Sequence, residues 1–416
     1  MIAIIALLFL IAAIVLGFVR NINVGFTCLG LALVFGLIGG VSTSTILAGF
    51  PSKLFLTLLG TMFFFSLLQE NHTLEQLSKK LVMLVGKKTF LIPVVIYLVS
   101  YIMSAAGPGA ISVQSVMIIF AVALAVQMQA SPILLGSMAI LGAVGGTTSP
   151  IALTGILVTD LTADMNLGNV ANPVFIGVSI ANLLCTVVVY FVFGGFKLKG
   201  NGEITSEKIT FNNKQKICIV ALLAMVVAVV GFQYDVGLIC FTLSLILMLC
   251  KAVDEKKALK LVPWSVLILI CGVNVLMAVT QELGGIDLLA DLLASVMNQI
   301  TAGPIMALTA GIMSWFSSAN GVVFPTLIPT VTGIVENIGG NVSAVEMIMA
   351  IVGGATVAGI SPLSTGGSLI LASYTQETDA SDKEQSSIFA KLFAVSFGCV
   401  LVVVVFALVS GFKLFC

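Results

Sequence analysis

The sequence predicts an all-α polytopic membrane protein made of two inverted repeats, each with about five transmembrane helices, one re-entrant helical hairpin and one broken helix. Composition, the spacing of apolar runs and an internal duplication lead to that fold class. Of the 416 residues, 59% are hydrophobic and 9% are charged, and the mean hydropathy is +1.20. Ordinary soluble domains run about 45–50% apolar and about 25% charged. A water-soluble fold of this size would lack the polar surface to cover itself, so lipid bilayer is the natural solvent. The formal net charge is zero, and no basic domain is present to meet nucleic acid.

Taken in order, the first apolar run covers residues 2–19 and is followed by Arg20 with no basic residue before it. That pattern reads as a retained helix rather than a cleaved leader. Further runs lie at about 22–40, 50–69, 131–160 and 172–196, and a second series at about 215–231, 234–250, 263–281, 343–371 and 388–411. Each is near the roughly 20 residues a helix needs to cross a bilayer core. Two stretches, about 89–126 and 302–334, are too long for one helix and are interrupted by Gly107-Pro108-Gly109 and Ala319-Asn320-Gly321. These are the predicted hairpins. Residues 73–85 and 286–297 read as amphipathic interfacial helices. The eight cysteines are scattered, make no CxxC or other metal spacing, and read as small packing residues.

A shift of 212 residues carries Pro51 onto Pro263, Gly25 onto Gly237, Cys28 onto Cys240 and Gly60 onto Gly272. The same shift carries Gln69-Glu70 onto Gln281-Glu282, Gly109 onto Gly321, Ser131 onto Ser343, Ser149-Pro150 onto Ser361-Pro362 and Gly155 onto Gly367. Coincidence among Leu and Val is expected in such a chain; coincidence among Gly, Pro and Ser-Pro is not. The halves are therefore 1–196 and 215–416, joined by a linker at 197–214. The first holds the hairpin at 89–126 and the broken helix at 131–160; the second holds those at 302–334 and 343–371. Five crossings per half is an odd number, so the halves are expected to be inverted. Charge tests this independently, because cytoplasmic loops are enriched in Lys and Arg. With the N-terminus outside, one face receives Arg20, Lys79, Lys80, Lys87, Lys88, Lys197, Lys199, Lys208, Lys214, Lys216, Lys251, Lys256, Lys257, Lys260, Lys383 and Lys391, leaving Lys53 and Lys413 opposite. The expected placement is multi-pass in the cytoplasmic (inner) membrane, with the linker cytoplasmic and both termini outside.

Inverted repeats with broken helices are a recurring plan of secondary transporters, with substrate held near the midplane where the breaks meet. Unwound backbone within a membrane is tolerated only where it is buried or lines a cavity. The breaks are Ala105 to Gly109 and Gly145 to Pro150 in the first half, and Ser317 to Gly321 and Ala358 to Gly367 in the second. Candidate substrate-binding residues are Gly107, Pro108, Gly109, Thr148, Ser149, Ser318, Asn320, Gly321, Ser361 and Thr365. Candidate sodium sites comprise Ala106, Gly107, Gly145, Gly146 and Thr147 in the first half, and Ser318, Asn320, Gly359, Ser361 and Ser364 in the second. No Asp, Glu, Lys, Arg or His lies deep within a predicted span; Glu70 and Glu282 fall at span ends, and His72 lies in an interfacial stretch. Intramembrane titratable groups mark proton relays, and none is in evidence. Helix N-termini can hold an anion without a full positive charge, while hydroxyls and free carbonyls suit a hard cation.

Through Ser104-Ala105-Ala106-Gly107-Pro108-Gly109 and Gly145-Gly146-Thr147-Thr148-Ser149-Pro150 the chain resembles the ion transporter superfamily of divalent-anion carriers, the divalent anion:sodium symporters, and within it the MatC-type dicarboxylate (malonate) carriers. The resemblance implies two re-entrant hairpins, a transport domain moving against a scaffold, and a homodimer formed through the scaffold. In that superfamily Ser-Asn-Thr motifs at the hairpin tips bind carboxylate and sodium; here the tips read Ala106-Gly107-Pro108 and Ser318-Ala319-Asn320. The expected function is secondary active transport of a small carboxylate, a dicarboxylate by resemblance, with sodium as coupling ion and no other cofactor. A proton-coupled or uncoupled carrier of another small anion is the alternative, and a passive channel a weaker one. No HExxH, paired intramembrane Asp or GxxxxGK[ST] motif points to an enzyme or an ATP-driven pump.

Overall fold

A computed structural model describes residues 2–20, 22–83, 88–198, 210–232, 234–339, 342–378 and 381–416. Lys87, Lys199 and Lys208, and most of the 197–214 linker, lie outside the described residues. The first half holds α1 (Ile2–Val19), α2 (Val24–Gly39), α3 (Thr43–Ala48), α4 (Ser52–Glu70), α5 (Thr73–Met83), α6 (Ile92–Ala105), α7 (Gly109–Gln127), α8 (Pro132–Gly146), α9 (Leu153–Leu161) and α10 (Ala171–Val192). The second holds α11 (Asn213–Val226), α12 (Val236–Leu249), α13 (Glu255–Leu261), α14 (Trp264–Glu282), α15 (Gly285–Ala294), α16 (Ala302–Phe316), α17 (Phe324–Leu327), α18 (Val331–Ile338), α19 (Ala344–Val357), α20 (Thr365–Thr378) and α21 (Asp382–Leu408). No strand occurs among the described residues. Among the described residues, seven helical segments are long and apolar enough to cross a membrane, and six shorter apolar helices accompany them. The predicted all-helical, polytopic class is borne out.

The surface supports the same solvent. Leu37, Val192 and Leu249 are 70–73% exposed on α2, α10 and α12, amid many other outward Ile, Leu, Val and Phe side chains. In water such a surface would be an association hazard; in lipid it costs nothing.

Helix starts follow the duplication. Val24, Ser52, Thr73, Pro132 and Leu153 open helices in the first half, and Val236, Trp264, Gly285, Ala344 and Thr365 open them 212 residues later. The local chemistry recurs too. Asn23 caps α2 through Gly25 N at 2.8 Å, and Asp235 caps α12 through Leu238 N at 2.9 Å. Ser131 caps α8 and Ser343 caps α19, each accepting a backbone N–H at 3.3 Å. A side-chain oxygen at this position satisfies one of the helix's orphan donors.

Packing is exchanged between the halves. Helix α2 packs on α14, and its counterpart α12 packs on α4. Both crossings rest on glycine: a methyl on Gly272 would strike the backbone of Gly25, and one on Gly60 would strike Gly237. Within the halves, α6 packs on α8 as α16 packs on α19, and α8 lies against α10 as α19 lies against α21. Reciprocal exchange of this kind is what a twofold relation between repeats produces.

The second arms of the two hairpins differ. In the first half α7 is a regular 19-residue helix. In the second, the chain after Ser318 turns widely, with Val323 N reaching back five residues to Ser318 O at 3.1 Å. It then passes through α17 and a tight turn to α18. Pro325 and Pro329 account for this, since each removes a helical donor. Outside the spans, Lys79 lies 2.7 Å from Glu75 on α5 and holds that carboxyl below the usual carboxylate range.

Candidate functional site

The site is built where helices stop. Helix α8 ends at Gly146 and the chain resumes as α9 at Leu153. Between them Thr147 O accepts the N–H groups of Thr154 and Gly155, both at 3.1 Å, and Thr148 Oγ1 donates to Gly145 O at 2.7 Å. In the other half α19 ends at Val357 and α20 begins at Thr365. Here Ser364 Oγ lies 2.6 Å from Gly359 O and 2.7 Å from Ser361 O, while Ser361 Oγ accepts Leu363 N at 3.3 Å. Gly155 and Gly367 close the two breaks alike, each lying over the carbonyl of Ser149 or Ser361 so tightly that a methyl would collide with it.

These breaks meet in one cavity of about 250 Å³. Thr147 and Thr154 reach it from the first break, and Gly359, Ser364, Thr365 and Gly366 from the second. Ala110, Ile111 and Gln114 enter from the start of α7, and Ser317, Ser318, Ala319 and Asn320 from the second hairpin tip. Thr154 Oγ1 donates to Asn320 Oδ1 at 2.8 Å and lies 3.3 Å from Thr147 Oγ1, joining the two halves across the cavity. No lining residue carries a charge among the described residues. The first turn of α20 faces the cavity, and its N–H groups have no partner within their own helix. Such a terminus favours an anion; hydroxyl, amide and carbonyl oxygens around it suit a hard cation. No cluster of His, Cys, Asp and Glu that could hold a transition metal occurs among the described residues.

Of the residues singled out from sequence, Thr147, Ser318, Asn320, Gly359, Ser364 and Thr365 line this cavity. Gly107, Pro108 and Gly109 are buried and outside its lining. Gly107 lies against Phe65, and Gly109 against Leu153 and Thr147 Oγ1; both take positive φ, +135° and +73°. Gly145 packs on Asn182 and Tyr101, and Gly146 on the backbone of Tyr101 and Ala105. Ala106, Thr148, Ser149, Ser361 and Gly321 are also outside the lining: Thr148, Ser149, Ser361 and Gly321 are buried in the turns that shape it, and Ala106 is partly buried at the first hairpin tip.

Residues 1–147 match the family model of the dicarboxylate carrier protein MatC N-terminus. The match bears out the resemblance carried by the first hairpin and the start of the first break. No curated protein matches in sequence. Among solved structures, the Alcanivorax borkumensis YdaH transporter is similar at 13% identity and a TM-score of 0.58, over 87% of each chain. Neisseria gonorrhoeae MtrF, described with a class of antimetabolite efflux pumps, is similar at 13% identity and a TM-score of 0.59, over 90% of this chain and 84% of that one. At such identity the likeness is one of fold. The family match over residues 1–147, together with the apolar spans, supports a multi-pass membrane transporter.

The MatC match ends at Thr147, so the second hairpin tip and second break lie beyond it. Thr154 lies beyond it as well, and sequence reasoning missed this residue. The available signal was its place: a hydroxyl in the first turn after a break. Ser314 and Thr356 also face the cavity, but each already donates to a backbone carbonyl, Ala355 O at 2.8 Å and Val352 O at 2.7 Å. Gln114 was missed because a lone amide in an apolar arm carries no pattern.

Proposed function

We propose that the protein is a secondary carrier that moves a small carboxylate, of dicarboxylate size, by alternating access with sodium as coupling ion. What supports this reading is the meeting of both breaks, the second hairpin tip and the start of α20 in one polar, uncharged cavity bridged by Thr154 and Asn320. An anion there finds helix N-termini rather than arginine, so a cation bound on neighbouring oxygens would supply the missing charge. No titratable side chain lines the cavity among the described residues, which disfavours a protein-borne proton relay. The MatC match supports a dicarboxylate. The repeats are inverted in this reading, the termini face outside, and two copies associate through the helices that do not form the cavity.

A second cavity, about 350 Å³, shares Ile111, Phe316, Ser317, Ser318 and Thr365 with the first and extends to Asn23 and Ser265. Asn23 follows Arg20, and Ser265 follows α13 with its Lys260; in this reading that basic side is cytoplasmic, and the cavity opens towards it. Cysteines placed at Glu255 and Ala163 check the orientation: impermeant reagent should reach position 163 in intact cells and not 255, and the reverse pattern would invert it. The coupling is tested by dicarboxylate uptake into proteoliposomes at fixed pH. Uptake should rise with external sodium and collapse when choline replaces it. Uptake that ignores sodium and follows an imposed pH gradient would overturn sodium coupling.

A further inference from the structure

Gln114 sits in the second turn of α7, only 5% exposed, lines the cavity and makes no side-chain hydrogen bond among the described residues. A glutamine amide offers two donors and one acceptor, and at the cavity wall these are free to meet whatever enters it. Leucine or methionine would fill the same volume in this otherwise apolar arm. The duplication sharpens the point. Thr326 occupies the equivalent place, 212 residues on, and is also 5% exposed with an unpartnered hydroxyl, yet it does not line the cavity. At this repeat-related position the first half places an amide in the cavity lining and the second half does not.

We infer that Gln114 is a substrate-binding residue that selects dicarboxylates over monocarboxylates. This rests on the carrier reading above and deepens it. Two helix N-termini from different halves open into the cavity, α7 through Ala110 and Ile111 and α20 through Thr365 and Gly366. Neither carries a formal charge, so each suits one carboxylate. At the α20 end Thr365 and Ser318 add hydroxyls. At the α7 end the side-chain donor is Gln114, whose Nε2 completes the hold on the second carboxylate. A monocarboxylate would fill the α20 end and leave the glutamine unpaired, so the amide penalises the shorter ligand as well as rewarding the longer one.

The test uses the full-length protein in proteoliposomes, with succinate, malonate and acetate as probes. Gln114→Leu should raise KM for the dicarboxylates roughly tenfold or more and bring their preference over acetate to within about twofold, at the melting temperature of the unliganded wild type. Gln114→Asn, one methylene shorter, should fall between and serves if the leucine variant fails to fold. Gln114→Glu should bind dicarboxylate less well as pH rises through the range where the new carboxyl ionises, a profile that a purely structural role would not produce. If wild type selects dicarboxylates and the leucine and asparagine variants keep its KM and selectivity, the assignment of Gln114 is overturned while the carrier reading stands. If wild type takes up none of the three probes, the carboxylate reading fails and this inference with it.

Discussion

The two broken helices share a backbone plan and differ in what braces them. In the second half α21 supplies Ser396, whose hydroxyl donates to Ala358 O at 3.0 Å and accepts Trp315 Nε1 at 2.9 Å. Ser314 adds a bond to Ala355 O. In the first half the corresponding neighbour, α10, presents Asn182 against Gly145, fully buried, with neither amide atom partnered. Ser104, on the hairpin arm behind Gly146, is buried and unpartnered too. The first break is instead tied outward, through Thr154 to Asn320 of the other half. The second break is thus held by its own half and the first by a bond across the cavity. The two halves share the glycines and caps that set backbone geometry, while their polar bracing differs.

The shared part of the plan should give the largest effects when broken. Gly155→Val and Gly367→Val each force a side chain into a carbonyl of the break, where overpacking costs about 1–3 kcal/mol or more. Both should abolish monodisperse folded protein on size-exclusion chromatography. Gly398→Ala, whose added methyl meets open space, should leave the profile unchanged. A folded Gly155→Val with a wild-type melting temperature would show that the two breaks are not equally tight.

Next comes the bond that joins them. Asn320→Ala removes the acceptor for Thr154, and Thr147→Val removes the hydroxyl beside it. Loss of one such buried bond costs about 1–3 kcal/mol, so uptake should fall roughly tenfold or more with expression retained. Uptake at the wild-type rate in the Asn320 variant would place the substrate elsewhere.

The divergent bracing predicts opposite signs. Ser396→Ala strands the Trp315 N–H and should lower stability by about 1–3 kcal/mol. Asn182→Leu removes two unpartnered polar atoms from the core and should leave stability unchanged or raise it, because burying an unpaired amide is itself unfavourable. Thermal unfolding in detergent reads both. A marked drop for Asn182→Leu would mean that the amide has a partner in another conformation of the carrier.

Sequence alone made the backbone plan legible because glycine, proline and capping residues act locally: Pro51 and Pro263, or Ser131 and Ser343, announce the helix they precede. The cavity was legible only in outline. Thr147, Ser318, Asn320, Ser364 and Thr365 stand at breaks and could be nominated, but which of them face inward depends on rotation about helices that meet over long sequence distances. Gly145 and Gly146 resemble a binding turn in sequence and prove to be where α8 lets α6 and α10 approach. Thr154 was marked only by its place in the first turn after a break, and Gln114 belongs to a regular helix, where nothing but tertiary packing distinguishes a cavity-facing side chain from a buried one.

The smallest effect is expected at the other repeat-related pair, Glu70 and Glu282. Their shared Gln-Glu dipeptide suggests equal roles, yet the structure separates them. Glu70 accepts Asp254 N at 3.1 Å and lies 3.9 Å from Lys257, whose side chain is 70% exposed. Glu282 is exposed and makes no ion pair among the described residues. Glu70→Gln keeps an oxygen for Asp254 N and loses only a long contact with a solvated ammonium, a type of pair worth about 0–1 kcal/mol. Stability should therefore fall by less than about 1 kcal/mol, by an amount that shrinks at high salt, and uptake should stay within about twofold of wild type. Glu282→Gln should change neither. A Glu70→Gln variant that folds normally but cannot transport would move a functional carboxylate to the end of α4, and would make this pair, rather than the breaks, the place where the halves differ in function.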